Sequence, residues 1–346
     1  MIIPILVFFG ALLIAFAATP VARRIAPHLG VMDQPNPRKV HARPTPLLGG
    51  AAIVIASLLA LLLLRDRFEF QQLISILLGA ALMALIGFYD DRWGLRPVWK
   101  LTGQLVAATI LILSGVRVTA LPEEWMDITI TLIWVVGLTN ALNLLDNMDG
   151  LSSGVAAVCA SFFLVMAALS GQIYVGALAA ALLGATLGFL AYNFNPASIF
   201  MGDTGSLFLG FMLAAIGIKL RFPDNVPFVT WMVPIIVMGM PIFDTTLVFI
   251  SRLRRGKNPL TNPGKDHVSH RLVGMGFTTR EAVMSHYLIG GMYGMVAILV
   301  TQANVIEGYL LGGMAALVSL IGLWFFEFRR KPAPQPAAPR PPHHEH

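Results

Sequence analysis

MDITITLIWVVGLTNALNLLDNMDGLSSGVAAVCASFFLVMAALS, residues 126 to 170, decides the architecture. It holds two apolar runs, 126–144 and 151–170, each long enough to cross the roughly 30 Å hydrocarbon layer of a bilayer as a helix whose backbone groups are bonded internally. Between them Asn140, Asn143, Asp146 and Asp149 recur every third residue, winding a slowly turning stripe of amide and carboxylate oxygens down the end of the first run. Asn and Asp serving as turn residues before Gly150 would explain Asp149, but not two asparagines one or two turns deeper. Oxygen donors of this kind suit magnesium, which keeps some of its water and completes its shell with substrate phosphate.

The same ruler gives eleven spans in all: 2–22, 47–64, 71–89, 98–116, 126–144, 151–170, 173–192, 205–220, 228–250, 282–302 and 307–326. The chain has 346 residues, 56% of them hydrophobic and 12% charged, with a mean hydropathy of +0.74. Such a chain cannot solvate itself as a globule, and the expected class is an all-α polytopic membrane protein. The first run has no basic leader or small-residue cleavage site, so it reads as a retained span. Gly184 and Gly188 give the seventh span a small-xxx-small face suited to close helix contact. With the N-terminus outside and the C-terminus inside, nineteen of the 24 lysines and arginines fall in cytoplasmic segments, which the positive-inside rule favours. The expected organisation is a transmembrane catalytic domain over 1–328 and a disordered, proline-rich cytoplasmic tail over 329–346. The net charge of +6 in such a chain belongs to orientation and lipid headgroups, not to nucleic acid. The lone Cys159 lies in an apolar run and reads as a packing residue.

Alternation of the spans brings four polar stretches, and the loop from Arg23 to Pro46, to the cytoplasmic side. One is the 140–150 stripe. The second, GFYDDRWGL, carries Asp90 and Asp91, neighbouring carboxylates that need a cation or a shared proton to coexist in a partly dry place, or that end one helix and cap the next. In the third, NFNPASIFMGDTGS, Gly202, Asp203, Thr204, Gly205 and Ser206 precede an apolar helix. Small residues there let backbone N–H groups approach an anion, and Asp203 beside a phosphate calls for a divalent cation between them. The fourth, GKDHVSHRL, sets His267 and His270 on one face if helical, beside Lys265 and Arg271. With oxygen donors dominating nearby, it reads as a phosphate-binding or proton-transfer loop and not as a zinc site. Asp244, about two turns inside the ninth span, needs a partner, and an inner-loop cation is the expected one.

Together these stretches resemble the polyprenyl-phosphate N-acetylhexosamine-1-phosphate transferase superfamily (glycosyltransferase family 4), from DQPNPRKVHARPTPLLGG at Asp33 to DHVSHRL ending at Leu272. RKVH at 38–41 and the eleven-span count are most similar to the bacterial undecaprenyl-phosphate GlcNAc-1-phosphate transferases. The resemblance implies that a lipid phosphate is joined to UDP-N-acetylhexosamine, most simply UDP-GlcNAc, with release of UMP. It further implies magnesium, with manganese able to substitute, on Asn143 and Asp203, and a catalytic set of Asp90, Asp91, Asp146, Asp149 and His267. Substrate contacts are implied for Lys39, His41, Asn193, Gly202, His270 and Arg271. The partners implied are polyprenyl phosphate, the UDP-sugar, the inner membrane and a second copy of the chain. Two departures stand out: Gly94 replaces the third acid of the family's DDxxD form, and Ser269 replaces the middle histidine of an HxHH loop. A secondary transporter or flippase of an anionic lipid or nucleotide is the competing class, but its coupling residues would sit near the midplane within inverted repeats, and these acids lie at one face.

Overall fold

The structure is a computed structural model that describes residues 2–34, 44–62, 70–223, 225–259 and 264–328. Lys39, His41 and the rest of RKVH, together with the tail, fall outside the described residues. Helices occupy all eleven expected segments: α1 Ile2–Leu29, α2 Gly49–Leu61, α3 Phe70–Trp93, α4 Pro97–Leu113, α5 Glu124–Leu145, α6 Leu151–Leu169, α7 Ile173–Asn193 and α8 Gly202–Lys219, then α9 Pro227–Thr230, α10 Val233–Val237 and α11 Gly239–Arg254, and after them α12 Val268–Val273, α13 Thr279–Gln302 and α14 Val305–Phe328. Seven are long and apolar enough to cross a membrane, eight if the bent ninth segment counts as one span, while α2 and α4 are shorter apolar helices. The chain is an all-α polytopic membrane protein. Among the described residues the one strand pairing is antiparallel and two residues long, β1 Met32–Asp33 with β2 Thr45–Pro46.

Packing centres on α8, whose residues from Thr204 to Ile218 are all buried, against α2, α3, α5 and α6. Lipid offers helices no hydrophobic reason to associate, so close backbone approach has to hold them together. The seventh span does this as its sequence indicates: a Cβ on Gly184 would lie 2.2 Å from the Phe8 carbonyl oxygen, and one on Gly188 2.5 Å from that of Leu12. Those two glycines seat α7 directly on α1. At the opposite extreme, α14 lies on the rim, with Gly308 its one buried residue.

The expectation of one continuous ninth span, 228–250, is not met. Pro227–Val237 and Gly239–Arg254 meet at 69°. Pro241 removes the N–H that would bond the Val237 carbonyl, breaking the ladder at the bend. The freed carbonyl is met instead by the Cys159 thiol at 3.4 Å, which gives that buried cysteine a local structural task.

Candidate active site

The C-terminal ends of α3, α5, α7 and α11 and the N-terminal ends of α8 and α13 lie at one end of the bundle, and the four polar stretches meet there. Asp203, in the first turn of α8, is the hub. Asn143 Nδ2 donates to its Oδ1 at 2.7 Å and to Ser206 Oγ at 2.9 Å. Lys100 Nζ binds its Oδ2 and reaches Asp90 Oδ2 at 2.8 Å, while Asp90 Oδ1 accepts the Leu95 N–H. Asp91 accepts from the N–H of Asp203 (2.8 Å), the N–H of Thr204 (2.9 Å) and the Thr204 hydroxyl (2.7 Å).

Asp91 is thus an N-cap for a helix distant in sequence, the structural alternative for one member of the pair, applied to α8 instead of the next helix. A carboxylate at a helix N-terminus satisfies orphan donors and meets the positive end of the dipole. Two amides expected to cradle a phosphate are therefore already engaged. Gly202 serves this contact: its φ is +70° and a Cβ would lie 2.6 Å from Asp91 Oδ2. Gly94, where the family form has an acid, ends α3 at φ +75° with its N–H on the Asp90 carbonyl at 2.9 Å.

Asp146 closes the α5 helix and meets no hydrogen-bond donor among the described residues. Burial first, then the charges of Asp203, Asp91 and Asp149, push its carboxyl well above the usual range. Asp149 Oδ2 accepts from Asn195 Nδ2 and the Ala197 N–H, both at 2.9 Å, and so holds the 195–197 turn against the cluster. Asn193 lies beneath: its Oδ1 accepts the Gly150 N–H (3.1 Å) and the Ser153 hydroxyl (3.0 Å), and its Nδ2 donates to the Ile199 carbonyl (3.0 Å). That buried amide ties three segments together. Asn140 of the stripe is turned elsewhere, paired reciprocally with Gln104 of α4 at 2.7 and 3.2 Å.

The histidine stretch docks on this group. Ser269 donates to Asn147 Oδ1 at 2.6 Å, which gives a role to the residue standing where a histidine is usual. His267 is buried and its Nδ1 lies 2.7 Å from Asp244 Oδ2, so the inner-loop partner of Asp244 is an imidazole. His270 is half-buried, its ring centroid 6.1 Å from that of His267. Burial, with the charges of His267 and Lys265, pushes its imidazole down to about 4, leaving it neutral at pH 7. Arg271 is committed away from the cluster: it donates to the Ser251 hydroxyl at 2.7 Å, to Glu327 at 2.9 Å and to the Phe326 carbonyl at 2.5 Å, at the ends of α11 and α14. Lys100 is the residue that sequence reasoning left out of the site. As one lysine near a helix start, its sole signal is the distance of one short connection from Asp90.

Residues 73–221 match the family model described as glycosyl transferase family 4. Over 310 residues the chain is 37% identical to the probable undecaprenyl-phosphate N-acetylglucosaminyl 1-phosphate transferase of Bacillus subtilis (strain 168), covering 87% of this chain and 86% of that one. It is 33% identical over 326 residues to the decaprenyl-phosphate N-acetylglucosaminephosphotransferase of Mycolicibacterium smegmatis, covering 83% and 79%. A phospho-N-acetylmuramoyl-pentapeptide-transferase of Halalkalibacterium halodurans matches at 30% over 280 residues, covering 73% and 82%. Matches of that length run through all the helices that build the acid cluster, and the chain accordingly belongs to glycosyl transferase family 4, the polyprenyl-phosphate N-acetylhexosamine-1-phosphate transferases.

Proposed function

We propose that this enzyme transfers N-acetylglucosamine 1-phosphate from UDP-GlcNAc to a polyprenyl phosphate, undecaprenyl phosphate being the expected carrier, and releases UMP as the first step of a lipid-linked cell-envelope glycan. The observation that carries the reading is the set of five acids, Asp90, Asp91, Asp146, Asp149 and Asp203, at a single end of a membrane bundle, with Lys100 bridging two of them, Asp90 and Asp203. A surplus of buried negative charge is costly unless cations join it.

The donor set fits a hard divalent ion. Asn143 keeps its Oδ1 clear of any donor among the described residues, next to Asp203. Among the described residues no three His, Cys, Asp or Glu side chains converge to cage an ion alone. That is the pattern for an ion that takes its remaining ligands from water and substrate phosphate. Magnesium on Asn143 and Asp203, with manganese able to substitute, would neutralise the diphosphate and the charge growing on the departing UMP.

An oxygen of the lipid phosphate attacks the β-phosphorus of UDP-GlcNAc as the bond from that phosphorus to the bridging oxygen breaks. Such transfer is largely positioning and charge neutralisation. Asp91 is occupied by capping α8, which assigns to Asp90 the task of facing the lipid phosphate and keeping it ionised, while Lys100 contributes a movable positive charge. Asp146 and Asp149 line the nucleotide side, with Asn193 and Gly202 holding the walls in place. His267 and the neutral His270 cover the diphosphate, and Arg271 anchors the loop that carries them. The excess of lysine and arginine in the loops on this side favours a cytoplasmic face, and the proposed setting is the inner membrane, crossed as eleven spans, with a homodimer as the proposed assembly.

The test incubates purified protein with radiolabelled UDP-GlcNAc, undecaprenyl phosphate and magnesium. UMP and a lipid diphosphate sugar should form in equal amounts. Label crossing vesicles without UMP release would replace the transferase by a carrier.

A further inference from the structure

Asp244 lies inside α11, buried, where an ionised side chain requires partners. It has two, both at the start of α12. Its Oδ2 is 2.7 Å from His267 Nδ1, and its Oδ1 accepts the Val268 N–H at 2.7 Å. One carboxylate therefore fixes both the backbone and the ring of the histidine loop. An ionised carboxylate can only accept, so the ring proton facing it belongs on Nδ1, and Nε2 becomes the one uncommitted nitrogen of His267.

No other group competes for that assignment. His286, the second buried imidazole near Asp244, spends Nδ1 on the Ala282 carbonyl at 2.7 Å, and its Nε2 has no partner among the described residues. On the far side of the turn, Ser269 bonds to Asn147 at 2.6 Å and sets the loop in register with the carboxylate cluster. The ring of His267 is thus held on one side by α11 while its loop is held on the other by the 146–150 turn.

We propose that Asp244 is a positioning residue for the transfer reaction, holding a ring proton of His267 on Nδ1 and fixing the ring so that Nε2 is the nitrogen turned to the reacting diphosphate. The proposal rests on the role given to His267 above. Asp244 touches neither substrate, and its influence passes wholly through that ring.

Asp244→Asn separates tautomer from fold. The amide oxygen can keep the Val268 bond while its NH2 group donates to His267 Nδ1, which forces the ring proton onto Nε2. The expected result is a fall in kcat of about 10²-fold, the scale of a misdirected proton-transfer group, with KM for both substrates within about threefold and an unchanged Tm. In a H267Q background, adding D244N should cost no further activity, because the ring it acts through is gone. An unchanged kcat for D244N, or losses that multiply in the double variant, would overturn the proposal. Should D244N fail to fold, the 15N spectrum of histidine-labelled wild type, assigned by difference from H267Q, decides alone: a proton on Nδ1 is expected, and a bare Nδ1 overturns the proposal. Full turnover by H267Q would also remove the proposal while magnesium-dependent UMP release left the transferase reading standing.

Discussion

Two charged regions share one end of this bundle and are built on opposite accounts of charge. Around the start of α8, five acids gather while, among the described residues, one ammonium, Lys100, pairs with two of them. A short distance along the histidine loop, Asp266 lies between Arg252 (3.3 Å) and Arg255 (2.5 Å), and Glu327 between Arg254 (2.7 Å) and Arg271 (2.9 Å). The second region is satisfied by the protein itself and locks α11, α12 and α14 together. The first is left wanting positive charge, which a substrate-bound cation would bring. Satisfied pairs hold structure, and unsatisfied ones mark where a ligand's charge belongs.

The largest effect is expected from Lys100→Met, which takes out of the acid cluster the one cation that pairs with Asp90 and Asp203 among the described residues. Turnover should fall by about 10²–10³-fold, as for loss of one preorganised charge at a reacting phosphate, measured as UMP release at saturating substrates. Lys100→Arg should recover part of it.

Asp266→Ala makes the contrasting change, leaving Arg252 buried without its acid. Breaking a pair of that kind costs roughly 3 kcal/mol, less here for the contact to Arg255, which is 44% exposed. A lower Tm and faster proteolysis of the histidine loop should follow, with magnesium affinity retained. Equal Tm in wild type and variant would erase the distinction between the regions.

A subtler difference lies in proton linkage. Burial and acidic neighbours raise the Asp146 carboxyl well above its usual range, so an entering cation should bring it down again, and apparent magnesium affinity should rise with pH. Calorimetry in two buffers of different ionisation enthalpy should show proton release on magnesium binding, and less of it for Asp146→Asn.

The smallest effect belongs to His270. Its folded imidazole titrates near 4 against an ordinary 6.5, so between those values the unfolded chain binds the extra proton. Its contribution is complete above about 6.5 and is lost as pH falls toward 4. Between pH 7 and 4.5 the Tm of wild type should drop further than that of His270→Asn.

Much of this was legible in the chain because hydrophobic length and polar punctuation are local signals. The segments at 126–144 and 151–170 stand where their apolar runs place them, and Gly184 with Gly188 announced the contact with α1. The convergence of Asp90, Asn143, Asp203 and the histidine stretch follows from alternation alone. What the sequence hides is pairing across distance. Nothing local tells that Asp91 caps α8, that Asn140 turns to Gln104, or that Arg271 reaches α14. The bend at Val237 had its cause in plain view, Pro241, but apolar content there outweighed the proline in a reading by span length. Lys39 and His41 lie outside the described residues, and their substrate contacts stay expectations from the resemblance.

The most direct test of an unbalanced acid cluster as the catalytic centre is Asp203→Asn, assayed for both UMP release over a magnesium titration and Tm. Removing one of five crowded acids should leave Tm equal or higher while turnover is lost at every magnesium concentration. Near-wild-type turnover at saturating magnesium, or collapse of the fold, would contradict it.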